Sequence, residues 1–92
     1  MNAKRRKEIG KIIYKINERI MATVDEIQSE IDAVRSEEQE VIDNMPENLQ
    51  GSERYEAAES AVDALDEAYD DFEEAISSLQ DVISSLEAAT EV

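Results

Sequence analysis

The sequence predicts an all-α fold: a long antiparallel helical hairpin of coiled-coil type, pairing with a second copy into a four-helix bundle. Three observations predict it. Apolar residues recur in alternating steps of three and four along both halves of the chain, the mark of a helical seam. The only Pro and one of the two Gly fall together near the middle, at Pro46 and Gly51. Helix formers dominate the rest, and the aromatics are three Tyr and one Phe, too few for an ordinary globular core.

The first helix is expected over about residues 4–44. Ile9, Ile13, Ile16 and Ile20 step by four, three and four, and from Ile20 the seam continues through Val24, Ile27, Ile31, Val34, Val41 and Met45. Two steps of four meet at Ile20, shifting the phase as a stutter does. Glu38 takes a seam position between Val34 and Val41. It reads as a frayed or solvated end, with acceptance of a partner's charge as the other reading. A turn is expected over 45–51. Pro46 disfavours helix at the residue before it, and Gly51 supplies a flexible joint.

Ser52 is a good N-cap for the second helix, expected over 52–89, and Glu53 and Glu56 stand in its first turn, where the dipole favours anions. Its seam runs Tyr55, Ala58, Val62, Leu65, Tyr69, Phe72, Ile76, Leu79, Ile83, Leu86 without a fault. Ala61, Ala68, Ala75 and Val82 sit just before seam residues and widen the stripe. So wide a stripe suits packing against more than one helix. Two helices alone would leave each stripe half covered, so a single domain spanning 1–92 is expected to self-associate. The expected oligomer seam is Ile20, Val24, Ile27, Ile31 and Val34 on the first helix, with Val62, Leu65, Tyr69, Phe72, Ile76, Leu79, Ile83 and Leu86 on the second.

Composition narrows the chemistry. Cys and His are both absent from the 92 residues, which removes disulfides, thiol chemistry, the commonest general base and the commonest metal ligand. There is no phosphate-binding Gly loop and no nucleophile motif, and Tyr55 and Tyr69 read as core. No enzyme activity, cofactor or metal site is expected. No stretch is apolar for long enough to span a bilayer, so no membrane partner is expected and a cytoplasmic location is the default.

Charge is the most informative feature. The chain carries a net −15, unevenly placed: +5 over residues 1–20, −8 over 21–52 and −12 over 53–92. On the second helix Asp63, Asp66, Glu67, Asp70, Asp71, Glu73 and Glu74 form an acidic face whose like charges stand four apart. Each such pair costs about 0.2–0.5 kcal/mol. Solubility is one account of that face. A surface imitating nucleic-acid phosphates, aimed at a basic cleft on another protein, is a second. Weak divalent-cation binding is a third, although no ordered calcium loop is present. The basic segment of Lys4, Arg5, Arg6, Lys7 and Lys11 admits three readings: charge matching with Asp81, Glu87 and Glu91, a frayed tail, or direct nucleic-acid binding, for which interleaved aromatics are missing apart from Tyr14.

The stretch EEQEVIDNMPENLQGSERYEAAESAVDALDEA, residues 37–68, resembles a recurring core of small acidic helical proteins from low-GC Gram-positive bacteria and their phages. The resemblance implies a mobile-element setting, in which short acidic proteins often inhibit host nucleic-acid enzymes such as restriction or CRISPR nucleases. The hairpin size is also similar to that of the secreted WXG-type helical dimers, but the turn NMPENLQG carries no Trp, which sets that family aside. The expected function is therefore a non-enzymatic protein–protein interaction module: a homodimer, in the host cytoplasm if phage-encoded, whose acidic face inhibits a basic, nucleic-acid-targeting enzyme. The alternatives are a scaffold-like or adaptor coiled coil and a nucleic-acid binder working through residues 4–19.

Overall fold

A computed structural model describes all of residues 1–92. The chain is helical throughout, with no strand. Helix α1 (Ala3–Lys15) passes through a π-helical turn (Ile16–Ile20) into α2 (Met21–Asp43); a short 3-10 turn (Glu47–Leu49) leads to α3 (Glu53–Thr90).

Each boundary has a local cause. Asn2 stands in extended backbone before α1, and its Oδ1 accepts a hydrogen bond from Arg5 N–H at 2.9 Å, satisfying one of the helix's open donors. Pro46 ends the first long helix, and the Leu49 N–H returns to its carbonyl at 2.9 Å. Ser52 caps α3, its Oγ accepting from Tyr55 N–H at 3.2 Å, with Glu53 and Glu56 in the first turn. Gly51 adopts φ +89°, a backbone region closed to most side chains. A Cβ placed there would meet nothing within 4 Å, so the cost of adding one is purely conformational. Gly51→Ala is therefore expected to lower stability by about 1 kcal/mol, read as an earlier urea midpoint at unchanged m. An unshifted midpoint would mean that the turn relaxes out of the left-handed region.

The chain divides into two compact units. The first comprises Met1–Glu26 and Phe72–Val92. In it the start of α1 is tied to the end of α3: the Met1 ammonium donates to the Val92 carbonyl at 2.6 Å and Arg6 Nε to the Thr90 carbonyl at 2.9 Å. Ile16 is its buried residue. The second unit is Ile27–Asp71. Ala58 and Val62 are buried there, and Arg35 Nη1 reaches Asp66 Oδ1 at 3.3 Å.

Along α3 every seam residue from Tyr55 to Leu86 is buried or half-buried. The first long helix differs from the sequence expectation. Its half-buried or buried line runs Ile9, Ile13 and Ile16, then Met21 and Val24 in the first unit, and Gln28, Ile31, Arg35, Glu38, Ile42 and Met45 in the second. Ile20, Ile27, Val34 and Val41, read from the sequence as seam, are exposed. The reason lies at Ile16–Ile20, where the Met21 N–H bonds the Ile16 carbonyl five residues back instead of four. That turn takes in one extra residue and rotates the helix beyond it, so that Met21 occupies the place a regular helix would give to Ile20. Thr23 Oγ1 donates to the Arg19 carbonyl at 2.8 Å and helps satisfy the backbone just past the irregular turn.

Candidate interaction surfaces

At about 100° per residue, Asp63, Glu67, Asp70 and Glu74 fall within a narrow arc of α3, flanked by Asp66 and Glu73 on one side and Asp71 on the other. The seam residues occupy the opposite side, and the separation follows directly from the heptad. All seven carboxylates are exposed. Asp63, Asp66, Glu67, Asp70 and Asp71 belong to the second unit, while Glu73 and Glu74 open the C-terminal part of the first.

One cation reaches this face. Arg35 is the single base among residues 21–52. Its Nη2 donates to Asp32 Oδ1 at 2.6 Å, three residues back on α2, and its Nη1 lies 3.3 Å from Asp66 across to α3. The hydrogen bond that Arg35 donates to Asp32, with the charges of Asp32 and Asp66, holds the guanidinium above its ordinary range against the opposing effect of desolvation. A bridge this exposed contributes little to stability, but it gives α2 and α3 a polar register mark. Asp63, Glu67, Asp70, Asp71 and Glu74 make no hydrogen bond or ion pair. No polar or charged side chain of the protein is buried. The chemical capacity of the face is thus attraction of a cationic surface.

The basic segment is exposed at Lys4, Arg5, Arg6, Lys7 and Lys11. Within it Arg6 Nε donates to the Thr90 carbonyl at the end of α3, and none of the five pairs with Asp81, Glu87 or Glu91. Cations at a helix C-terminus meet the negative end of the dipole, so the end of α3 attracts this segment through its backbone. Of the expected oligomer seam, Val24, Ile31, Leu65, Tyr69, Phe72, Ile76, Leu79, Ile83 and Leu86 are half-buried and Val62 is buried, whereas Ile20, Ile27 and Val34 face solvent.

Sequence reasoning passed over Gln28, Arg35 and Ile42 as inward positions of α2. The signals available were the lone base at Arg35 and the doublet Val41–Ile42, in which either residue could have carried the seam. Near the turn, Glu37, Val41, Met45, Pro46, Leu49 and Arg54 border a shallow groove of about 430 Å³. No helix is long and apolar enough to cross a membrane, and no group of three or more Asp or Glu is placed to hold a metal ion. Comparison with protein-family models, with curated proteins and with solved structures finds no match to this chain.

Proposed function

We propose that the protein is a non-enzymatic interaction module: an antiparallel helical hairpin that pairs with a second copy and presents the outer face of α3 to the basic, nucleic-acid-binding surface of another protein. In the mobile-element setting implied by the resemblance of residues 37–68, the partner is a host nucleic-acid-targeting defence enzyme, and binding inhibits it in the cytoplasm.

One observation carries the reading. From Asp63 to Asp71 five exposed carboxylates fall along eight residues of rise, about 12 Å at ~1.5 Å per residue, a mean axial spacing of ~3 Å. That density lies between the phosphates of one strand of DNA, ~3.4 Å apart along the axis, and those of the duplex, ~1.7 Å. A helix selected for stability alone would interleave Lys with these acids, since each like-charged pair opposes the helix. A basic cleft that releases counterions on meeting DNA gains in the same way on meeting this face.

The test is inhibition of nuclease cleavage by the intact protein, repeated with the triple change Asp70→Lys, Asp71→Lys, Glu74→Lys. The variant is expected to lose inhibition at least about a hundredfold while its helical circular dichroism is unchanged, and wild-type binding is expected to weaken at least about tenfold between 50 and 200 mM salt. Inhibition that survives the reversal, or ignores salt, would dispose of the electrostatic reading. A mobility shift of DNA that vanishes on deleting residues 1–8 would favour the basic segment in its place.

A further inference from the structure

An apolar concavity lies at the turn, wholly inside the unit Ile27–Asp71. Glu37 and Val41 stand four apart near the end of α2 and share a side of that helix, with Met45 four residues further on. Pro46 stops the helix, and the Leu49 N–H bond to the Pro46 carbonyl, 2.9 Å, fixes Leu49 in the tight turn that follows. Together they form the groove of about 430 Å³, with Val41, Met45, Pro46 and Leu49 as its apolar lining and Glu37, Glu40 and Arg54 as its charged lining. Val41 is 37% and Leu49 45% exposed; Pro46 is exposed and Met45 half-buried. One exposed apolar residue needs no explanation, but these four border one groove and mark a place for another molecule's side chains.

We propose that this groove receives a cationic amphipathic helix of another protein, its apolar residues in the groove and its Lys and Arg against Glu37 and Glu40. Charge selects the occupant. Residues 37–47 hold Glu37, Glu38, Glu40, Asp43 and Glu47 with no base. The whole unit carries fifteen acids against Arg35 and Arg54, a net −13, and Arg35 is already engaged by Asp32 and Asp66. An anionic segment is repelled there, whereas a cationic one is attracted before contact and held after it. Backbone geometry selects a helix. The chain has no strand and so no open edge, and in the turn the N–H groups of Met45, Leu49, Gln50 and Ser52 already bond to its own carbonyls. An extended segment would find few partners for its backbone. A helix satisfies its own and offers anchors at i, i+3 or i+4, and i+7. A second copy does not supply such a helix. Its α1 is basic, but Ile12 and Tyr14, the large apolar residues exposed there, lie about 160° apart around the helix axis and form no row. The inference does not rest on the acidic face of α3.

The test titrates the intact protein into a labelled synthetic helix of about fourteen residues, Leu on one face and Lys on the other, followed by fluorescence anisotropy. It is run at about 150 mM salt, where exposed charges more than ~8 Å apart are largely screened. Val41→Ser with Leu49→Ser leaves every charge in place and is expected to weaken binding at least about tenfold, as is Glu37→Lys with Glu40→Lys. All four side chains are exposed, so helical circular dichroism is expected to be unchanged. The reversal Asp70→Lys, Asp71→Lys, Glu74→Lys is expected to change the affinity less than about threefold, and a peptide with Glu for every Lys to bind at least about tenfold more weakly. A wild type that binds no peptide, undiminished binding after Val41→Ser with Leu49→Ser, or equal affinity for the Glu peptide would overturn the proposal. So would a loss confined to the α3 reversal, which would place the attraction on that face. If no peptide binds and Val41→Ser with Leu49→Ser instead abolishes self-association, the occupant is a second copy and the proposal fails. Inhibition of nuclease cleavage is read separately, so the groove can fail while the proposed function stands, and the reverse.

Discussion

Deleting Asn17 is expected to leave the fold intact, whereas deleting Ala33 is expected to abolish it at physiological temperature. A one-residue deletion inside a packed helix normally turns everything beyond it by about 100° and carries the core face away from its partner. Asn17 lies in the π-helical turn, and its removal lets Ile16 and Met21 become four residues apart. The inward line Ile9, Ile13, Ile16, Met21, Val24 then continues as a regular helix in steps of four, three, four and three. Only an exposed side chain and one irregular turn are lost, so the change in stability is expected to stay within about 1 kcal/mol, or 4–8 °C in Tm.

Ala33 is exposed as well, but it sits in regular helix between Ile31 and Arg35. Its deletion swings Arg35, Glu38, Ile42 and Met45 outward and brings Ser36, Gln39 and Asp43 into their places. Loss of two half-buried apolar side chains, with the Asp43 carboxylate in the place of Ile42, costs about 3–5 kcal/mol. That approaches the whole stability of a small domain. Thermal melts followed by circular dichroism decide the matter. Equal losses from the two deletions would mean that the turn at Ile16–Ile20 does not set the phase of the helix.

The same turn explains what could be read from the residues and what could not. The seam of α3 is legible because its core positions are all apolar or Ala and the residues between them are polar or small, so only one phase satisfies the pattern. The first helix offers two. Ile20, Ile27, Val34 and Val41 make one apolar line, and Met21, Gln28, Arg35 and Ile42 make a weaker one a single residue on; Val24, Ile31 and Met45 serve both. Hydrophobicity favours the first line, and the two steps of four at Ile20 look like a stutter that keeps it. The structure takes the second line, because a five-residue hydrogen bond from Met21 to Ile16 is a backbone choice that side-chain pattern does not encode. Glu38 then becomes intelligible as a half-buried member of the inward line, beside an Arg35 that the pattern had placed outside. The acidic face needed no structure to find, since it is whatever the α3 seam leaves over. The placing of Arg6 against the Thr90 carbonyl did, because helix-end dipoles carry no residue signature.

Val62→Asp and Val34→Asp make one chemical change at two valines, and their effects are expected to separate folding from association. Val62 is 7% exposed, packed in the unit that holds the turn. Aspartate there removes a buried branched side chain and leaves a carboxylate away from water, at a cost of about 4 kcal/mol. The variant is expected to lose most of its helical signal at ambient temperature, whatever its concentration. Val34 is 52% exposed. Val and Asp have similar helix propensities, so within a single chain the change is expected to shift stability by no more than about 0.5 kcal/mol. In an associating protein the melting temperature rises with concentration, because mass action favours the state that binds its partner. Wild type is therefore expected to gain several degrees over a hundredfold rise in concentration, about 2.7 kcal/mol at full coupling, and Val34→Asp to show none of that gain. At the dilute end the two proteins should melt together. A Val34→Asp protein that still gains stability on concentration would show that its copies meet through some other face of the helix, whereas a wild type that gains none would show that the chain closes against nothing of its own kind.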